Sequence, residues 1–235
     1  MEVTPFTKLS RFVAYLRERV RTQGVSHLPA FLFRRARVEL TERRYGIHTR
    51  GWIGARTLTD DPNCLDYDPI DYETIQIAFQ SLDLENRKQV LIDYGCGKGR
   101  VLAVAARFPF HRIIGLELSK YLCEIAESNV RAMRLPKLCN SISIVNADAR
   151  AYEVPSDVTV AFLFNPFAGE VLARVASNIE ESFHKSPREI TIFHIHFKKT
   201  PSCFAELKDF KKTKELPLIF REGMVFEVFE SKALH

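Results

Sequence analysis

The sequence predicts an α/β fold, a doubly wound and mostly parallel sheet with helices on both faces, preceded by a basic helical N-terminal extension. Three observations carry this. The run Val90-Leu91-Ile92 is short, apolar and β-branched, and it leads through Asp93 into glycines at 95, 97 and 99 and then into the apolar helix pattern Val101 to Ala106. Downstream, strand-like and helix-like patterns alternate, as they do where parallel strands are joined by covering helices. Asp93, Glu117, Asp148, Asn165 and His196 each fall at or near the end of a strand-like run, the edge where open α/β sheets hold their ligands.

The chain has 235 residues, 46% hydrophobic and 27% charged, which suits one domain of ordinary size with an appendage. We expect residues 1–68 to form the basic extension and its connecting loop, and residues 69–235 to form the sheet domain. No apolar run reaches the roughly 18 residues of a membrane span. The N-terminus lacks the apolar core of a secretory signal, but it is rich in arginine and poor in acids, as transit peptides are. Five cysteines, an odd number without C-x-x-C spacing, read as reduced thiols of a cytoplasmic protein and not as a disulfide frame or zinc site. Charge is unevenly spread. Residues 1–56 hold twelve Lys/Arg against four Asp/Glu, a balance of +8, and the remainder balances at −3.

The elements follow in order. Leu9, Phe12, Val13, Leu16 and Val20 recur at helical spacing with arginines on the other faces, and the pattern ends near Gly24. Ser26 can cap a second helix through Leu28, Phe31, Leu32, Phe33, Ala36 and Leu40. These arginines admit two readings, a surface for an acidic partner (anionic lipid, nucleic acid or a phosphorylated substrate), and a solvated face of a helical pair. Residues 46–68 are irregular, and a helix follows from Asp71 to Leu82. Arg112 to Glu117 is a second strand, and Ser119 caps a helix that stops before Pro136. Ser141 to Val145 is a third strand, Val158 to Phe164 a long fourth one, 170–184 a helix and Glu189 to Phe197 a fifth strand. A short helix after Pro201 precedes strands near 212–220 and 223–231.

The stretch Asp93-Tyr94-Gly95-Cys96-Gly97-Lys98-Gly99 spaces its glycines G-x-G-x-G with an acid two residues ahead. A dinucleotide fingerprint would carry its third glycine where Arg100 stands, and no Ser or Thr follows Lys98 as a P-loop requires. The stretch resembles motif I of the class I S-adenosylmethionine (SAM)-dependent methyltransferases, over roughly residues 70–231. That resemblance implies a seven-stranded sheet with an antiparallel last strand, SAM as cofactor, and cofactor contacts from Asp93, Gly95, Cys96, Gly97, Gly99, Glu117, Asp148, Ala149 and Asn165. Glu117, as an ionised acid, would accept from ribose hydroxyls. Asp148-Ala149 resembles the family's adenine site, although Asp148 also suits a helix N-cap.

Asn165-Pro166-Phe167 occupies the place of motif IV. It resembles in part the [D/N]-P-P-[Y/F] pattern of amino-methyltransferases, with one proline where that pattern has two, and loosely the Asn-x-Phe stretch of seven-strand lysine methyltransferases. By that resemblance Asn165 is catalytic, Pro166 and Phe167 face the substrate, and Tyr67, Asp71, Tyr72 and Thr74 are lid residues, Tyr72 among them as a substrate contact. His196, near the end of the fifth strand, is a second catalytic candidate as a general base; a histidine on a sheet face is more often a satisfied core residue. Two histidines without a third ligand make no metal site. The expected reaction is methyl transfer to a nucleophile, a nitrogen, on protein lysine or a small amine. The alternative is a non-catalytic SAM-binding module that works through its basic arm.

Overall fold

The computed structural model describes residues 28–85, 88–219 and 221–232. The first helix predicted from the sequence, with Ser26, lies outside them. The chain divides into two compact units between Arg44 and Tyr45. The division expected at 68/69 thus falls earlier, because residues 46–68 are bonded into the sheet unit. Within the first unit the described element is helix α1 (Leu28–Tyr45), which ends with Arg43 and Arg44 in its last turn, where cations offset the helix dipole. Arg43 also bonds Glu39 one turn back at 3.0 Å.

The second unit is built on seven strands: β1 (Val90–Tyr94), β2 (Arg112–Glu117), β3 (Ile142–Asn146), β4 (Val160–Phe164), β5 (Thr191–Phe197), β6 (Phe210–Glu215) and β7 (Met224–Ser231). Their order across the sheet is β3-β2-β1-β4-β5-β7-β6. Strands β1 to β5 pair in parallel, and β7 runs antiparallel between β5 and β6, as the resemblance implied. β6 begins earlier and ends sooner than its sequence pattern suggested. Leu216 still donates to Phe226 at 3.0 Å, but the following Pro217 has no N–H with which to extend the ladder.

Helices α2 (Tyr72–Gln80), α3 (Arg100–Ala105), α4 (Lys120–Ala132) and α5 (Gly169–Lys185) cover the sheet. Ser119 caps α4 through Leu122 N–H at 3.4 Å, as its position predicted. β1 is buried at every position, which explains its uninterrupted apolar run. On one side of the sheet Phe79, Phe108, Phe110, Phe162, Phe193 and Phe226 form a chain of tilted and edge-on rings. On the other, Tyr94, Phe167, Phe183, Phe204, Phe210 and Phe229 share one apolar cluster. Each of these rings that is fully buried, which excludes the half-buried Phe108, stabilises the fold by about 1.5–3 kcal/mol through the water it sheds. β1 and β4 lie side by side while their crossovers lead to opposite sheet edges, and a cleft opens at such a switch point.

Candidate active site

The cleft lies where β1 and β4 end. It has a volume of about 110 Å³, is open to solvent, and is lined by Asp93, Gly95, Cys96, Gly97, Glu117, Asp148, Ala149, Asn165, Pro166 and Phe167 among others. Sequence-predicted residues from four strand ends thus meet in one place. Two glycines are required by close approach. Gly95, at φ 70°, would place a Cβ 2.5 Å from the Pro166 ring, and Gly97, at φ 54°, would place one 2.4 Å from the Tyr67 ring. The glycine turn therefore packs against the turn after β4 on one side and against Tyr67 on the other.

Asp93 is 2% exposed, and its Oδ2 has no hydrogen-bond partner among the described residues. Burial, and then the neighbouring Glu117, push its carboxyl well above the usual carboxylate range. A buried acid without a donor is a site waiting for a cation or a donor. Glu117 is differently placed. Its Oε2 accepts from Gly97 N–H and its Oε1 from Ser119 N–H, both at 2.9 Å. Burial raises its pKa, and those backbone donors work against the rise. Each oxygen keeps a lone pair for a hydroxyl. Cys96 is buried, and its thiol is pushed up by burial and by Asp93 and Glu117, so it is wall and not nucleophile.

Asp148 lines the cleft but is held by Arg150. Its Oδ1 takes the Arg150 backbone N–H and Nε at 2.9 and 3.1 Å, and its Oδ2 takes Nε and Nη2 at 2.9 and 2.6 Å. The hydrogen bond from Arg150 lowers its pKa. Arg150 also bridges to Asp61 at 2.9 Å. Three N–H groups of Arg150 hold Asp148, with Nε–H shared between its two oxygens, so an adenine amine would share the carboxylate with Arg150, while Ala149 borders the cleft beside it. Neither Arg150 nor Asp61 was read from the sequence as part of the site; a surface arginine two residues from an acid gives no distinctive signal.

Asn165 is the one non-glycine residue with positive φ among the described residues, at 41°. Its backbone N–H bonds Ile195 O at 2.9 Å, and its side-chain amide has no partner among the described residues. Strain of this kind gathers at functional turns. Residues 63–68 lie across this turn. Cys64 bridges antiparallel to Phe167, Leu65 N–H donates to Pro166 O at 3.3 Å, and Ala168 N–H donates to Asn63 O at 2.9 Å. The Pro166 carbonyl, expected to hold a substrate, is thus taken by the chain itself. Phe167 is 7% exposed within the apolar cluster, so its ring is a core residue that borders the cleft and not a free face for stacking.

Two further expectations are corrected. Tyr72 does not line the cleft. It is buried, its hydroxyl lies 3.4 Å from Thr49 Oγ1, and the Arg100 guanidinium sits 4.6 Å above its ring. Arg100, which stands where a third glycine would be, bonds Thr49 Oγ1 and Ile70 O at 2.7 Å each. It ties the incoming chain to the glycine turn. His196 does not line the cleft either. Its Nε2 meets Glu227 Oε2 at 2.8 Å, its Nδ1 meets Phe197 O at 3.1 Å, and its ring stacks on His194 at 4.3 Å. Both ring nitrogens are occupied, so His196 is a sheet residue and not the base. Of the four residues expected in a lid, Tyr67 lines the cleft. Its hydroxyl bonds Thr49 O at 2.5 Å, and Lys98 Nζ lies 4.8 Å from its ring.

Residues 91–184 match the family described as a methyltransferase domain. Over that stretch the chain is similar to methyltransferase domains. Solved structures share the fold at low identity. The protein yhhF of Escherichia coli superposes with a TM-score of 0.53 at 13% identity, covering 75% of this chain and 91% of its own. A ribosomal protein L11 methylase of Lactobacillus delbrueckii subsp. bulgaricus gives 0.53 at 13%, covering 69% and 80%. An RNA methyltransferase of Salinibacter ruber, solved with S-adenosylhomocysteine, gives 0.51 at 16%, covering 70% and 94%. A comparison with curated proteins returns no match. SAM is the methyl donor of the domains this chain resembles, and the residues of the cleft fit SAM. The unpaired Asp93 carboxylate suits an ammonium, Glu117 suits a ribose, and the glycine turn carries no Cβ into the space. No described helix is long and apolar enough to cross a membrane.

Proposed function

We propose that this protein transfers a methyl group from SAM to a nitrogen nucleophile presented at the Asn165 turn. The observation that carries the reading is Asn165 itself, strained to φ 41° at the switch point, with a free side-chain amide beside the cofactor cleft. SAM supplies an electrophilic methyl on a positively charged sulfur. Asp93 would hold the ammonium of its methionine portion and Glu117 its ribose, leaving the methyl directed toward Asn165. The amide oxygen of Asn165 accepts a hydrogen bond from the incoming N–H and aims the nitrogen lone pair. Positioning of this kind, with water excluded by residues 63–68, is most of what such a transfer requires. Acceptors of this class include protein lysine and small amines.

The test is single-turnover transfer from labelled SAM into a cell extract fractionated into protein, nucleic acid and small molecules. Asn165→Gly suits the positive φ and removes only the amide. The variant should keep its fold and its S-adenosylhomocysteine affinity while losing on the order of 10²-fold in transfer rate, the cost of about 1 Å of misplacement. Full activity in Asn165→Gly would remove Asn165 from the mechanism. The second reading, a non-catalytic SAM-binding module, rests on the +8 balance of residues 1–56. It predicts cofactor binding without transfer to any fraction, and salt-sensitive binding of an acidic partner or anionic surface through that segment. Cytoplasmic residence belongs to the same proposal, supported by five cysteines that are all free.

A further inference from the structure

A second cleft, of about 520 Å³, opens beside the first. The two share Cys64, Leu65, Asp66, Asp68, Phe164 and Asn165, so Asn165 stands at the wall between them. The second cleft alone is bordered by Trp52, Phe197 and Glu222. Two of these are large aromatics left open to water, Trp52 at 66% and Phe197 at 51%. Its charge is acidic. Arg221 is its one lining cation, and that guanidinium is already spent on Asp68 and on Pro69 O at 2.7 Å, lies 3.6 Å from Asp71, and rests over Phe164 at 5.1 Å. Asp66 accepts only from neutral donors, Trp52 Nε1 at 3.2 Å and Ala55 N–H at 2.8 Å. Glu222 has no partner among the described residues. Negative charge is therefore left over, next to exposed rings, at the residue that separates the two clefts.

We propose that this second cleft is the acceptor site and that it takes an alkylammonium group, drawn in by Asp66 and Glu222 and packed against Trp52 and Phe197. The inference rests on the methyl-transfer reading and narrows its acceptor. Carboxylates supply the attraction to the cation, and aromatic faces add to it. The bound ammonium gives one proton to water at the open mouth and becomes a neutral amine. Its lone pair then bonds the methyl carbon while the carbon–sulfur bond breaks and its electron pair returns to sulfur, which leaves a methylammonium product and a neutral thioether. An anionic acceptor such as a phosphate or carboxylate would be repelled from the same cleft. The chemistry is shared by free alkylamines and by lysine side chains.

Trp52 is the only tryptophan of the chain, so its fluorescence reports on this cleft. The full-length protein, saturated with S-adenosylhomocysteine, is titrated with n-butylamine, with Nα-acetyl-lysine methylamide, and with the uncharged Nα-acetyl-norleucine methylamide. The proposal predicts a saturable change with one or both cations and none with norleucine; the tighter of the two distinguishes a free amine from a lysine side chain. Affinity should fall as salt is raised, and about three- to tenfold in Asp66→Asn/Glu222→Gln, which keeps an acceptor oxygen for one of the two Asp66 donors. An absent response, or an equal one to norleucine, overturns the proposal. S-adenosylhomocysteine binding, measured by calorimetry on the same sample, separates that failure from a failure of the methyl-transfer reading.

Discussion

Asp93 and Asn165 are each held in a state that costs stability, and both lie at the same edge of the sheet. The Asp93 carboxyl is raised by burial, so its folded pKa exceeds its unfolded value near 3.9. Its contribution is then favourable at low pH and is lost as pH rises above about 4 and through the folded pKa. Asp93→Asn should accordingly gain in melting temperature relative to the parent as pH is raised from 4 to 8, measured without ligand. The same variant should bind S-adenosylhomocysteine more weakly, because the ammonium loses its counter-charge. A melting difference that does not change with pH would show that the carboxyl is not perturbed. Glu117 and the three glycines were legible in the sequence because their spacing is tied to backbone geometry. Tyr72 was misplaced because an aromatic at a helix start reads alike whether it faces a ligand or the core.

At the scale of elements, the strand and helix order was legible, since period and punctuation report it directly. The path of residues 46–68 was not. Its pairing with 165–168 is a contact across roughly a hundred residues, and irregular sequence carries no register. His196 failed for a related reason: alternation shows that His194 and His196 share a face, but not that β7 and Glu227 cover it. Two predictions belong here. Tyr67→Ala removes the ring over Gly97 and the bond to Thr49 O, so S-adenosylhomocysteine should dissociate faster in stopped-flow, with the fold kept; an unchanged rate would deny Tyr67 a lid role. Arg100→Met leaves the Ile70 carbonyl and Thr49 hydroxyl without their donor. Such a loss costs about 1–3 kcal/mol, readable as a lower urea midpoint.

At the scale of the whole molecule, stability should decline in mild acid. His194 is buried against Ser202 and Phe204, and burial, then His196, hold its pKa down to about 3. Its unfolded value is near 6.5, so between those limits the unfolded chain binds a proton that the folded chain refuses. Stability is therefore independent of this group above about pH 7 and falls as pH drops from 6.5 toward 3. His194→Gln should flatten that decline in urea titrations at successive pH values; an unchanged slope would assign the acid sensitivity elsewhere. The central claim concerns the cleft at the ends of β1 and β4, and calorimetric titration of the full-length protein with S-adenosylhomocysteine tests it most directly. The account predicts saturable one-to-one binding, weakened in Glu117→Ala by about 1.5–3 kcal/mol, the worth of a charged hydrogen-bond acceptor. Absence of binding, or an affinity that Glu117→Ala leaves unchanged, would contradict it.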